Sequence, residues 1–273
     1  MNNKASMAAQ TSLPWKELLA NPGLRGHIVQ LYQDDEFLGE AVSHFAAEGL
    51  VRRESIIIVA TASHWDDISR RLHHKGFDIA DLVRRGQLTV LDADETLPKF
   101  LVDSMPDART FKDLAQTTIK KARAGNYYPR VRWWGEMVNV LYVNGNGRGS
   151  NRLEELFDEV AHEESIAIFC SFLMDKFDRN VYDGPLQNVC RTHAHLIPTE
   201  NYDRHREYVD RAAADVFGGL DKSLLRSVFS TQWTGPEMPS SQAFLLCLKE
   251  AMPDMADRVL ALARQYEQEA GEK

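Results

Sequence analysis

The chain has 273 residues, 44% hydrophobic and 26% charged, with a formal net charge of −8. That length can bury a full core, and the balance is that of an ordinary globular protein, not a disordered or collagenous one. The negative charge argues against broad attraction to nucleic acid or anionic lipid, and three widely spaced cysteines (Cys170, Cys190, Cys247) argue against a disulfide scaffold or a C-x-x-C zinc knuckle.

The opening "MNNKASMAAQTS" is small and polar, without the apolar centre of a secretory signal, and residues 1–20 read as a flexible N-terminus. No run approaches the ~18 apolar residues of a spanning helix, so no membrane contact and a cytoplasmic, reduced protein are expected. "HIVQLYQDDEFLGE" (27–40) reads as a buried strand entering a helix, with Gln33, Asp34, Asp35 and Glu36 at the turn. A phosphate loop places glycines and a lysine there, so that backbone amides converge on an anion. Carboxylates instead satisfy the helix dipole and cap its amides from within the chain; a bound cation or ligand amine is the alternative. Phe37, Leu38, Ala41, Val42, Phe45 and Ala46 give the following helix an apolar face that Gly49 is expected to end.

"SIIIVAT" (55–61) and "QLTVLDA" (87–93) read as further buried strands, and Leu114, Thr118 and Ile119 share a helical face. "VRWWGEMVNVL" (131–141) runs from a strand into a helix, with Gly135 at the turn and Glu136 next. Ligands of open α/β sheets bind beyond the carboxyl ends of the strands, which puts Glu136 and one of the tryptophans where a pocket is expected. Trp133 and Trp134 point to opposite faces, so at most one lines it; for Glu136 the alternative is helix-start electrostatics. "NGNGRGSN" (144–151) follows a helix, not a strand, and reads as a mobile loop. Asn151 and Glu154 then make a capping box, and Arg148 is placed to reach over a ligand. Leu153, Leu156, Phe157 and Val160 form another helical face, and "SIAIFCSF" (165–172) a strand in which Cys170 is a small core residue.

Strands apolar on both faces and alternating with helices imply a three-layer α/β domain with a mainly parallel sheet over residues 21–200. Residues 201–273 read as a helical extension, a cap on the core or on a second subunit. From Pro239 onward it carries four basic and six acidic residues, the wrong balance for a DNA-reading helix-turn-helix. No G-x-x-x-x-G-K-[ST] and no G-x-S-x-G is present, so neither P-loop hydrolysis nor a nucleophile elbow is expected. The nine histidines are scattered, with no H-x-x-x-H or H-E-x-x-H; His27 and His195 read as structural, and no metal ligands are assigned.

"GHIVQLYQDDEFLGEAVSHFAAEGLVRRESIIIVAT" resembles the opening of the MEDS domain, and "RWWGEMVNVLYVNG" resembles its R-x-x-G-E-M signature. "GFDIADLVRRGQLTVLDADETL" is similar to the same family and to RecA-like clock ATPases. The matching positions are His27, Tyr32, Gly49, Arg132, Gly135, Glu136, Met137, Cys170 and His195, with Phe172 standing where the family has a tyrosine. The resemblance implies a RecA-like sandwich with eroded nucleotide motifs, serving signal transduction and transcription regulation as a sensor of small hydrocarbon derivatives. With no kinase or DNA-binding segment recognised, the helical extension is expected to carry the output.

The expectation is therefore a non-catalytic sensory protein that binds a small organic ligand through Tyr32, Asp34, Asp35, Arg132, Trp133, Gly135, Glu136 and Arg148. It would signal through its C-terminal helices to a regulatory partner or within a homodimer, without direct nucleic-acid contact; the cofactor is unspecified. The rivals are a nucleotide binder lacking the P-loop lysine, an enzyme using Glu136 with a histidine, and a pure protein-interaction module.

Overall fold

The structure is a computed structural model and describes residues 15–124, 127–218 and 238–271. In chain order its elements are α1 (Trp15–Ala20), β1 (His27–Tyr32), α2 (Asp35–Val51), β2 (Ser55–Ala60), α3 (Ala62–His74), α4 (Ile79–Arg84), β3 (Leu88–Asp92) and α5 (Ala93–Thr96). A short hairpin of β4 (Leu101–Val102) and β5 (Met105–Pro106) leads to α6 (Ala108–Ala122), β6 (Val131–Gly135), α7 (Met137–Val143), α8 (Gly147–Glu164) and β7 (Ala167–Leu173). Then come α9 (Arg179–Tyr182), α10 (Pro185–Thr192), β8 (His195–Ile197), α11 (Tyr202–Val216), α12 (Ser240–Ala251) and α13 (Pro253–Gly271).

The six main strands form one parallel sheet in the order β3-β2-β6-β7-β1-β8. β1, β2 and β6 are buried at every position, as mainly apolar strands covered on both faces must be, and they enclose the polar His27, Gln30, Ser55 and Arg132 with them. On one face Leu38, Val42, Phe45, Ile68 and Leu72 of α2 and α3 pack on Ile28, Tyr32, Ile58, Trp134 and Phe169. On the other, Phe111, Ile119, Phe157 and Val160 of α6 and α8 pack on Val29, Ile57, Val59, Trp133 and Ile168. Each such side chain, fully buried, contributes ~1.5–3 kcal/mol of hydrophobic stabilisation. The result is the three-layer α/β arrangement with helices added after the sheet.

Several local expectations are corrected. Gly49 does not end α2, which runs two residues further to Val51. Its missing side chain instead makes room, since a Cβ there would lie 2.6 Å from Ile56 Cδ1 and 2.8 Å from Arg132 Nε. The glycine-rich "NGNGRGSN" is not a loop: α8 begins within it, capped by Asn146, whose Oδ1 accepts from Gly149 N at 2.9 Å. The Asn151–Glu154 capping box therefore does not form, and Glu154 lies buried a full two turns inside the helix. Residues 15–20, read as flexible, are helical with Leu18 and Leu19 buried; residues 1–14 lie outside the described part. The C-terminal helices share the main core, since Val209, Leu245, Leu248, Val259 and Leu260 join the same apolar cluster as Trp133 and Phe157.

Candidate functional site

β2 and β6 are neighbours in the sheet, yet the chain leaves them in opposite directions. After β2 it enters α3, whose Ile68 and Leu72 pack on one face; after β6 it enters α7, whose Met137 and Leu141 pack on the other. Such a switch point opens a crevice at the carboxyl ends of the strands.

Glu136 sits at that crevice, 1% exposed. It is the N-cap of α7, but its side chain makes no cap bond to that helix. Oε1 instead accepts from the Thr61 backbone N–H at 2.6 Å and from the Thr61 hydroxyl at 3.0 Å, tying the end of β2 to β6. Oε2 accepts from His64 Nδ1 at 2.6 Å, and His64 Nε2 faces Asp35 Oδ1 across 3.6 Å. That hydrogen bond to Glu136 raises the His64 pKa above 6.5 against the opposing effect of burial, with the charges of Glu136 and Asp35 adding to it. Tyr32, at the end of β1, accepts from Asn139 Nδ2 at 3.1 Å, while Asn139 Oδ1 accepts from Leu173 N at 2.9 Å. Burial pushes the Tyr32 phenol up, and the charges of Glu136 and Asp35 push it further, so it stays neutral at physiological pH.

Beside this group a cleft of about 280 Å³ opens between α2 and α3, lined by Asp35, Glu36, Gly39, His64, Asp67 and Arg71, with Leu38 and Ile68 as its apolar wall. Arg71 Nε is bound to Asp67 Oδ2 at 2.5 Å, so the cleft's remaining charges are acidic apart from His64. An oxygen-bearing neutral molecule or an amine suits such a lining; a phosphate does not.

The structure brings Tyr32, Asp35, Gly135 and Glu136 to this crevice. Asp34 stands at its edge as the N-cap of α2, accepting from Glu36 N at 2.9 Å. Three predicted residues are elsewhere. Arg132 is buried near the start of β6, paired with Glu54 and donating to the carbonyls of Leu19, Ala20 and Phe45. It is a brace between α1, α2 and the sheet. Trp133 is fully buried against Phe157 on the face away from the α2–α3 cleft, and Trp134, also fully buried, donates to Ser171 Oγ at 3.0 Å. Arg148 is exposed in the first turn of α8, outside the cleft lining. Sequence reasoning missed Thr61, His64 and Asn139; their signal was position, one to four residues beyond the ends of β2 and β6.

A second polar group lies near the start of β1. His27, Glu154, Cys170 and His193 are all buried, with one nitrogen, oxygen or sulfur of each within 4.8 Å of the others. Burial opposes charge here, but Asp158 and Glu154 raise His27 to about 9, and His193 and His27 hold Glu154 at about 2. Burial pushes the Cys170 thiol up and, with His27, pushes His193 down. His27, expected to be a satisfied structural histidine, has its Nδ1 without a hydrogen-bond partner among the described residues, and it is His193, two residues before His195, that joins it.

A family model described as MEDS, the methanogen/methylotroph, DcmR sensory domain, matches residues 26–194. The chain belongs to the MEDS family. Among curated proteins, none gives a significant match. The MEDS match takes in both polar groups and stops before β8, so α11, α12 and α13 lie beyond it. Among the described residues, no helix is long and apolar enough to cross a membrane.

Proposed function

We propose that this MEDS protein is a non-catalytic sensor that binds a small oxygen- or amine-bearing organic molecule in the cleft between α2 and α3. The observation that carries the reading is His64: Glu136 holds one ring nitrogen at the switch point, while the other faces the cleft and Asp35. A fixed imidazole N–H and an exposed carboxylate can recognise a hydroxyl, carbonyl or amine, and the apolar wall of Leu38 and Ile68 suits a short hydrocarbon part.

Output through the C-terminal helices is supported by the turn that bears Asp35. Gln33 N donates to Glu200 Oε2 at 3.2 Å just before α11, and Gln33 Oε1 accepts from Lys176 N at 3.4 Å. Lys176 Nζ is 2.8 Å from Glu267, and Arg264 Nη2 is 2.5 Å from the neighbouring Asp175, both on α13. A ligand that moves the acidic turn biases these helices by its differential affinity for their arrangements, and thereby a partner or a second subunit.

The test is a thermal-shift panel of small alcohols, amines, carbonyl compounds and nucleotides, followed by hydrogen exchange on the full chain. The sensor reading expects a stabilising compound whose effect is lost in His64→Gln and which changes exchange in α11 and α13. A stabiliser insensitive to His64, or stabilisation by magnesium ATP, sinks it. A second reading is favoured by the same pair, because a carboxylate-oriented imidazole is also a general base. Turnover of a bound compound that Glu136→Gln abolishes without loss of binding would establish that reading instead.

A further inference from the structure

We propose that His27, Glu154, Cys170 and His193 form a closed site for one divalent transition-metal ion, with zinc the best fit. The site is separate from the α2–α3 cleft and does not rest on the sensor reading.

The fold assembles the four donors from four segments. Parallel pairing sets Val29 opposite Cys170, and the two-residue strand period turns His27 and Cys170 to the same face. α8 lies on that face and brings Glu154, with Asp158 one turn further on. His193 follows α10 in an extended conformation (φ −113°, ψ 141°).

Their spacing is that of ligands around an ion. His27 Nε2 is 3.3 Å from Glu154 Oε2 and 3.5 Å from Cys170 Sγ, and His193 Nε2 is 3.3 Å from the same Glu154 oxygen. A tetrahedron with zinc–nitrogen, –oxygen and –sulfur bonds of about 2.0–2.3 Å has edges of roughly 3.3–3.8 Å. The 3.3 Å approaches do not make hydrogen bonds: neither Glu154 oxygen nor His193 Nε2 has a hydrogen-bond partner among the described residues. Buried polar atoms are almost always satisfied, and a buried carboxylate without a hydrogen bond needs a positive charge beside it, which a proton on His27 supplies in the empty site and a metal ion would supply to all four donors in the filled one.

The surrounding groups orient the donors. His193 Nδ1 donates to the Val189 carbonyl at 2.6 Å, which turns the lone pair of Nε2 inward. His27 Nδ1 faces Asp158 Oδ1 at 3.5 Å without a hydrogen bond, on the side from which a carboxylate orients a metal-binding imidazole. On binding, Cys170 gives up its thiol proton and His27 the proton on Nε2, both to water; the thiolate and Glu154 carboxylate then cancel a 2+ ion between two neutral imidazoles, so the complex is buried without net charge. A thiolate disfavours magnesium and calcium, and four side-chain ligands in a fully buried site fit the closed structural type.

The test uses the full chain, unfolded and refolded with chelator or with a slight excess of zinc or cobalt(II), because a buried site fills during folding. The proposal expects about one metal ion per chain after desalting, a higher melting temperature than the chelator-refolded protein, and intense tetrahedral cobalt bands with a thiolate charge-transfer band. In Cys170→Ser the charge-transfer band should vanish; Cys190 and Cys247 remain as internal controls. Wild-type protein that refolds to the same melting temperature with chelator and retains no metal overturns it. So does a charge-transfer band that persists in Cys170→Ser. The wild-type readings decide even if a variant fails to fold.

Discussion

His64 and Glu136 stand 72 positions apart in sequence and meet through a 2.6 Å hydrogen bond at the carboxyl end of the sheet. The position of Glu136 marks it as a site residue in the sequence, but nothing there marks His64 as its partner. Together they form an oriented imidazole with one nitrogen committed to the protein and one turned to the cleft.

That pair predicts a pH dependence. Glu136, with Asp35 assisting, raises the folded pKa of His64 above its ordinary value of 6.5. The imidazolium is therefore favoured by folding; its stabilisation is fully present below pH 6.5 and is lost as pH rises through the raised folded value. Following the ring protons by NMR should show a midpoint above 6.5 that falls in Glu136→Gln. A midpoint unchanged by that substitution would mean the carboxylate does not set the charge.

Arg132 should prove a stability residue. Arg132→Met would leave Glu54, 7% exposed, without its closest partner and three backbone carbonyls short of a donor. Breaking a buried pair in this way costs about 3–5 kcal/mol. Urea unfolding should show the midpoint fall accordingly. A variant of wild-type stability that had lost ligand affinity would return Arg132 to the binding site.

Gly39 and Gly49 should separate cleft from core. A Cβ at Gly39 would overlap Asp67 and lie 2.7 Å from Arg71 Nε, so Gly39→Ala should displace that ion pair into the cleft and weaken ligand binding. Its stability cost should be small, because flexible side chains give way. Gly49→Ala meets Ile56 and the buried stem of Arg132, and overpacking there should cost about 1–3 kcal/mol. Equal effects of the two substitutions on melting temperature would contradict the difference in their surroundings.

His205 should limit acid stability. It is fully buried on α11 against the rings of Phe177 and Tyr202, and neither ring nitrogen has a hydrogen-bond partner among the described residues. Burial, and then Lys176, depress its pKa from 6.5 to about 3. The unfolded chain thus takes up a proton that the folded chain resists, and stability falls as pH drops from 6.5 toward 3, by up to about 1.4 kcal/mol per unit. His205→Phe should flatten this acid limb of the unfolding curve. A limb of unchanged slope would assign the acid sensitivity to other groups.

The sequence by itself determined the layers. Runs at β1, β2 and β6 with apolar residues on both faces had no stable place except between two layers of helices, and the Asp34 and Glu136 positions followed from where those strands end. Local pattern also determined what is absent from the turn after β1, since carboxylates where a phosphate loop needs glycine and lysine are legible without coordinates. It did not reveal β8, whose three residues are too short for periodicity to register. Tertiary structure alone decided the roles of the polar residues. Arg132 looked like a ligand-binding residue until the packing of α1 and α2 put three carbonyls around it, and Trp133 looked like a pocket wall until α8 covered it. His64 reached Glu136, and His27 reached Glu154, Cys170 and His193, only because parallel crossovers bring distant strand ends and helices together. Periodicity records which side of an element is apolar; which polar groups then face one another depends on strand order and register, and those are set by the packing of the whole chain.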